Sequence, residues 1–341
     1  MGRKKPNKSL LQQCKERLDS KLAIGESKVL AKRDGTYTSK IYSWKTYRTY
    51  LSESIRFVQW CKEQPPHSSI GHKPRTLEEC RVYVDDYLQY NIDRNLSAWS
   101  IKVMSSSLAK LFECSSKSFI ETPSRKRSNI TRSRGEKTRD KNYNEENCSN
   151  LFLVCKATGL RRSEVAQIRG TDLFFIDDKP YLNVVRSTKG GRKRISEVIA
   201  PENELNVVIK LFSDAGANRV IPKPNSNVDI HALRRCYASR IYEKYRSDNF
   251  KRRRIVIYKD KIIGTYVSPN GRKNFKQLQK LCEKNNISPC DRNIVEMSGA
   301  YYCRSDLKGI VYDRQALFKV SENLGHGKYR SEIAANHYLF A

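Results

Sequence analysis

Residues 157–164 read Ala157-Thr158-Gly159-Leu160-Arg161-Arg162-Ser163-Glu164, a stretch that stops one helix and starts another. The preceding residues, Glu145 to Thr158, read as a helix, and Gly159 ends it because glycine takes the left-handed C′ conformation without a Cβ penalty. From Leu160 a second helix restarts through Val165 and Ile168. Arg161 opens that helix, so its guanidinium, always charged and shaped for bidentate phosphate contact, projects from a rigid start.

Downstream, Tyr181 to Val185 and Ile195 to Ile199 are β-rich and flank the basic, glycine-containing loop Ser187-Thr188-Lys189-Gly190-Gly191-Arg192-Lys193-Arg194, which predicts a hairpin with a positive tip. Leu205 to Phe212 and His231 to Tyr245 are predicted helices. A basic stretch follows, with Lys251 to Arg254, a second hairpin (Ile255 to Tyr258, Ile262 to Val267) and a helix near Phe275 to Cys282. Arg314 to Asn323 is helical, Gly325 ends it, and Glu332 to Tyr338 forms the last helix.

Upstream, Arg125 to Lys141 carries eight basic residues against two acids and hardly any apolar side chain, so it reads as a linker. Before it the periodicity is helical. Ile41, Trp44, Tyr47, Leu51, Ile55 and Val58 recur at three and four; a second helix covers Leu77 to Tyr90; a third starts at the N-cap Ser97 with Ile101, Met104, Leu108 and Leu111 on one face. Residues 1–28 are polar and basic, with a short helical stretch around Leu10 to Leu22, and read as an arm. The predicted fold is mainly α with a small β-sheet (α+β). Its parts are a basic arm (1–28), a helical domain (29–122), a basic linker (123–142) and a second domain (143–341) with a basic insert at about 247–310.

A chain of 341 residues is long enough for two domains with separate cores. Lys and Arg number 66 against 36 Asp and Glu, a net charge of +30, which points to a polyanionic partner and makes nucleic acid the leading one. A merely basic soluble protein is the bland alternative. No run of about 18 apolar residues is present, and Met1-Gly2-Arg3-Lys4-Lys5 has no apolar stretch behind it, so no membrane role and a cytoplasmic place are expected. Ten cysteines without a C-x-x-C pair, and only five histidines, argue against zinc and for a reduced compartment. No cofactor is expected.

Cutting a phosphodiester without metal takes cations on the non-bridging oxygens, a nucleophile, and a proton donor for the leaving oxygen. Arg161 is a first clamp. His231 and Arg234, three apart, share a helix face with Asp229 or Asn227 available as a cap. Lys189 lies on a hairpin tip from which a mobile ammonium can reach a leaving oxygen, and Lys193 competes with it because the register of the tip is open. His326 follows the Leu324-Gly325 stop.

Taken together, the Gly159-Leu160-Arg161 box, His231-Ala232-Leu233-Arg234, Leu324-Gly325-His326 and a terminal Tyr338 resemble the tyrosine recombinase (integrase) family over about residues 143–341. The resemblance implies that Arg161 and Arg234 neutralise the scissile phosphate with His326 as a third donor. Lys189 would protonate the departing 5′-oxygen, His231 would act in proton transfer, and Tyr338 would attack phosphorus to leave a 3′-phosphotyrosyl link, without ATP or metal. A free phenol titrates near pH 10, so neighbouring cations favour the phenolate at attack. Tyr329 is the rival nucleophile, but the family places its tyrosine two to three helical turns beyond the histidine, which favours Tyr338.

By the same resemblance, 29–122 would be a core-binding domain that closes with the catalytic domain into a C-shaped clamp on duplex DNA. Phosphate contacts would come from Lys45, Arg48, Arg125, Arg127, Arg132, Arg134, Arg192, Lys193, Arg252 and Arg253. A homotetramer on two duplexes is implied, with an accessory directionality protein as a further partner. The place in the cell would be the bacterial cytoplasm, on the nucleoid when bound. Residues Tyr301 to Arg314 look like variants on mobile elements of Gram-positive bacteria, which makes integration of a mobile element the expected role. A type IB topoisomerase-like relaxing enzyme and a catalytically inactive DNA-binding regulator are the rivals.

Overall fold

The computed structural model describes residues 8–126, 146–304, 307–327 and 330–339. The chain divides into two compact units, Met1–Lys126 and Arg127–Ala341. The linker cations Arg127, Arg132 and Arg134, and the rival Tyr329, lie outside the described residues.

The first unit is helical: α1 (Leu10–Asp19), α2 (Lys28–Arg33), α3 (Trp44–Glu63), α4 (Leu77–Cys80), α5 (Val84–Asp93) and α6 (Ala98–Leu111). Each helix start follows from local chemistry. Ser9, Ser43 and Ser97 accept a backbone N–H three residues on, and Thr76 with Glu79 forms a capping box. Phe57, Leu88, Ile101, Leu108 and Leu111 are buried at the centre, and each such side chain contributes about 1.5–3 kcal/mol.

Two expectations are corrected here. Residues 1–28 are not wholly an arm: Leu10, Cys14 and Leu18, a stripe at every fourth position of α1, are in the core of this unit. Tyr47 on α3 donates its hydroxyl to Asp19 beside them. Ile41 is buried but precedes its helix, pairing as a bridge with Leu22 before Ser43 caps α3.

The second unit is α+β. Helices α7 (Ser149–Thr158) and α8 (Arg162–Val165) lead into an antiparallel sheet, β1 (Leu173–Ile176), β2 (Lys179–Val184) and β3 (Arg194–Glu197), in that order. The hairpin expected over 181–199 is β2 and β3, with Tyr181 opposite Glu197 and Val184 opposite Arg194. Strand β1 is an addition: Asp177 and Asp178, at φ 47° and 59°, make the tight turn into β2. Then come α9 (Glu202–Ala215) and α10 (Ile230–Tyr245). Gly159 sits at φ 59°, and a Cβ there would fall 2.2 Å from the Tyr237 ring. Glycine is therefore required both for the left-handed cap and for the close approach of α10.

The basic insert is a folded layer. Strands β4 (Arg253–Tyr258), β5 (Lys261–Val267) and β6 (Ile294–Ser298) form a sheet in the order β5-β4-β6, with α11 (Phe275–Lys284) between β5 and β6 in sequence. Val256 of β4 packs with Leu278 and Cys282 of α11. On the opposite face Ile255 and Ile257 pack with Phe318. Phe318 belongs to α12 (Arg314–Asn323), so the insert is built onto the body of the unit and excising it would strip a core face. A short pair, β7 (Ala300–Tyr302) and β8 (Val311–Asp313), precedes α12, and α13 (Ser331–His337) ends the described helices. Tyr237, Ile241, Leu317, Val320, Leu324 and Ala334 join α10, α12 and α13 in one core. Among the described residues no helix is long and apolar enough to cross a membrane.

Candidate active site

A cleft of about 810 Å³ in the second unit is lined by Arg161, Lys189, His231, Arg234, His326 and Tyr338, together with Arg162, Arg192 and Arg330. The six residues expected to carry the chemistry span 178 positions of sequence, Arg161 to Tyr338, and the fold brings all of them to one wall.

Each is placed by a specific device. His231 stands in the first turn of α10 and Arg234 one turn on, with the Asp229 carboxylate accepting from His231 N and Ala232 N, both at 3.1 Å. Arg161 is the N-cap residue of α8, and its own N–H donates to Glu164 Oε2 at 2.8 Å. His326 follows the end of α12, where Gly325 turns at φ 65°. Lys189 sits exposed on a 3-10 turn, Lys189–Gly191, whose approach is held to α8 by Ser163 Oγ donating to Ser187 O at 3.1 Å. Lys193 is exposed and is not among the residues lining the cleft. Arg192 lines it and donates to His326 O at 3.2 Å.

Tyr338 is 6% exposed. Its hydroxyl lies 3.1 Å from His326 Nε2 and accepts from Arg234 Nε at 3.3 Å. The His231 ring meets the phenol ring edge-on at 5.3 Å, and the Arg234 guanidinium lies over it at 5.6 Å. Arg234 is 2% exposed and also donates to the carbonyls of Gly159 and Leu324, so one cation ties the α7 cap, the α12 end and the phenol together. Burial works against the charge of Arg234 and lowers its pKa, and these charge-assisted hydrogen bonds offset part of that cost.

Behind the wall stands an ion cluster that the sequence reading under-weighted. Glu164 is 1% exposed. It accepts from Arg161 Nη1 at 2.7 Å and from Arg194 Nη1 and Nη2 at 2.9 and 2.8 Å. Burial alone would raise its pKa, but the hydrogen bonds and charge of Arg194, followed by those of Arg161, outweigh burial and bring it to about 2. Arg194 also donates to Asn323 O at 2.8 Å, fastening β3 to the end of α12. Arg162, flanking the chosen arginine, donates to the backbone of Asn225, Ser226 and Val228 and so holds the loop that leads into α10.

The other DNA-contact candidates separate by exposure. Lys45, Arg48, Arg125 and Arg252 are exposed. Arg253 is half-buried, with its guanidinium on Gln315 and Ser247, both at 2.8 Å, because it starts the central strand β4. All ten cysteines are free, and among the described residues no His/Cys/Asp/Glu group could hold a metal ion.

Burial, and then Arg234, Arg161 and Arg194, push His326 down to about 3, so it is a neutral imidazole at neutral pH. A neutral ring suits hydrogen bonding to an anion or a phenol better than storage of a proton. The stability consequence has a definite sign. Between the ordinary value of 6.5 and about 3 the unfolded chain binds a proton that the folded chain refuses, so stability falls as pH falls through that window. The loss is up to roughly 1.4 kcal/mol per pH unit. Urea unfolding from pH 7 to pH 5 is expected to show this slope in the wild type and a flatter one in His326→Asn; equal slopes would refute the burial-driven neutrality. Glu164 adds a separate stabilisation that is full above about 4.5 and is lost as pH falls towards about 2.

A scan against known protein families and a search of curated proteins find no match. Among solved structures, two of the Tn1549 transposon integrase are similar. One, in complex with transposon right end DNA, is 15% identical at a TM-score of 0.34, covering 70% of this chain and 88% of that one. The other, in complex with circular intermediate DNA, is 12% identical at a TM-score of 0.34, covering 98% and 96%. These values are too low to establish a shared fold.

Proposed function

We propose that the chain is a DNA strand transferase of the tyrosine recombinase type, acting on duplex DNA through Tyr338. The observation that carries this reading is the Tyr338 hydroxyl held between His326 Nε2 and Arg234 Nε in a cleft that Arg161, Lys189 and His231 also line. Five cationic or imidazole side chains around one phenol is the equipment for phosphoryl transfer without metal: charge on the phosphate, a nucleophile, and acids and bases at either end.

In this reading Arg161 and Arg234 take the non-bridging oxygens, with neutral His326 donating a hydrogen bond. The Tyr338 oxygen forms a bond to phosphorus, its proton passing to His231, as the bond from phosphorus to the 5′-oxygen breaks. Lys189 supplies the proton to that oxygen. The phosphotyrosyl bond conserves the energy of the broken one, so a free 5′-hydroxyl reverses the step. The site-specific target, the C-shaped grip on a duplex, the four-protomer assembly on two duplexes, an accessory directionality protein and a role in mobile-element integration all belong to this proposal.

The test is a nicked suicide duplex carrying the chain's target site, with the adduct mapped by mass spectrometry. A nucleotide on the peptide containing Tyr338 supports the reading; an adduct on Tyr329, or none on a duplex that the protein binds and protects, overturns it. Recombinant products from paired sites, as opposed to relaxed circles, distinguish recombination from topoisomerase activity.

The general acid has its own test. Lys189→Ala is expected to slow cleavage by about 10²–10⁴, while Lys193→Ala stays within severalfold. A substrate with sulfur in place of the 5′-bridging oxygen should restore Lys189→Ala, because a thiolate leaves without protonation. Failure of that rescue would move Lys189 from proton donor to phosphate contact.

A further inference from the structure

Arg194 does not line the cleft. Its side chain is 5% exposed and stands behind Glu164, whose side chain is fully buried. The two meet as a planar fork on a carboxylate, Arg194 Nη1 on Oε1 at 2.9 Å and Nη2 on Oε2 at 2.8 Å. A third N–H of the guanidinium, on Nε, donates to Asn323 O at 2.8 Å. The stem runs under Gly325, where a Cβ would fall 2.9 Å from Arg194 Cδ. Arg194 is thus turned wholly inward.

Arg161 holds the same carboxylate more lightly. Its Nη1 donates to Glu164 Oε1 at 2.7 Å and its Nη2 to Leu324 O at 3.1 Å, while the side chain is 20% exposed and lines the cleft. Other N–H groups of its five remain for a ligand. Among the described residues these two arginines are the ion-pair partners of Glu164. A carboxylate held down to about 2 stays ionised at neutral pH, so the cluster carries two positive charges and one negative. An unpaired charge in a buried, low-dielectric setting is costly, so Glu164 must take a counterion in full. Arg194 meets that demand from behind, and one net positive charge is left to face the cleft. Without Arg194 the demand falls on Arg161, whose charge would be cancelled and whose fork would turn from the cleft to the carboxylate.

We infer that Arg194 is a positioning residue for strand transfer: it neutralises Glu164, and so keeps the charge and the free N–H groups of Arg161 available to the scissile phosphate. The inference rests on the phosphate-clamp role proposed for Arg161 and extends the machinery to a residue that touches no reacting atom. Glu164 can then hold the start of α8 through the Arg161 backbone N–H without setting an uncompensated negative charge beside a phosphate.

The experiment measures single-turnover cleavage at saturating duplex, beside thermal unfolding, for the full chain carrying Arg194→Met, Arg194→Lys, Glu164→Gln, or Arg194→Met with Glu164→Gln. Arg194→Met should slow cleavage by about 10²-fold, the scale on which one donor to a reacting oxyanion acts. Adding Glu164→Gln should return about tenfold or more of that loss, because no carboxylate is left to capture Arg161. Arg194→Lys should cleave within about tenfold of wild type yet melt lower, since an ammonium restores the charge but not the fork on Glu164 and Asn323 O. Rates that simply follow melting temperature, or a double variant no faster than Arg194→Met, mean a structural role only and overturn the inference. If Arg194→Met does not fold, the double variant is compared with Glu164→Gln alone: rates within severalfold of each other support the inference, and a further loss of about 10²-fold overturns it. If the wild type does not cleave, strand transfer falls and this inference with it; if the wild type and Arg194→Met cleave alike, only the assignment of Arg194 falls.

Discussion

Tyr338→Phe should abolish the covalent protein–DNA adduct while leaving duplex affinity within about twofold. The substitution removes one oxygen. The ring, with its edge-on contact to His231 and the Arg234 guanidinium above it, has no reason to move. Losing the hydroxyl frees hydrogen bonds from Arg234 Nε and His326 Nε2. Their cost is about 1–3 kcal/mol of stability each, which thermal unfolding of the variant measures directly. Suicide-substrate trapping and a binding isotherm on the same preparation test this. Persistence of the adduct would show that another residue attacks, and a collapse in affinity would show that the hydroxyl serves binding instead of chemistry.

Arg234→Ala is expected to have the second large effect, and of a different kind. Arg234 is a buried cation lining the cleft, and it also fastens Gly159 O and Leu324 O. Cleavage should fall by about 10³–10⁵, the scale on which a phosphate-directed arginine acts. Leaving two buried carbonyls without this donor should cost a further ~2–4 kcal/mol of stability. Arg234→Lys separates the two losses: the charge returns but the planar fork does not, so stability should recover more than rate. Single-turnover cleavage measured well below the melting temperature, beside thermal unfolding of both variants, resolves them. Cleavage by Arg234→Ala within tenfold of wild type would remove this residue from the mechanism.

The site was legible where a local rule fixes it. Gly159 announces a left-handed cap, Asp229 a helix start, and three-residue spacing sets His231 and Arg234 on one face, so those positions follow from near neighbours alone. What the sequence hid depends on partners far along the chain. Arg194 looks like one more cation on a positive hairpin tip; its burial follows from Glu164, 30 residues earlier, and Asn323, 129 residues later. The half-buried setting of Arg253 is hidden for the same reason, since Gln315 lies 62 positions away. Helix α1 reads as an arm because four apolar residues in ten look sparse until the packing that buries three of them, Leu10, Cys14 and Leu18, is known. Strand β1 was missed because its turn uses Asp177-Asp178, where both residues adopt positive φ without the glycine that usually signals it. In the insert, β6 pairs with β4 only after α11 has intervened, so no adjacent pattern marked it as a strand.

On the proposed reading, the bonds of the Tyr338 hydroxyl to Arg234 and His326 of its own chain would let each polypeptide carry its own set of reacting groups. Defective subunits then have nothing to lend one another. Mixed in any ratio, Tyr338→Phe and Arg234→Ala proteins should yield no cleavage beyond the sum of their separate activities, whereas a shared site would regain one working centre from the pair. On that same reading, an inactive subunit would silence the half-site it occupies and leave its neighbours' chemistry intact.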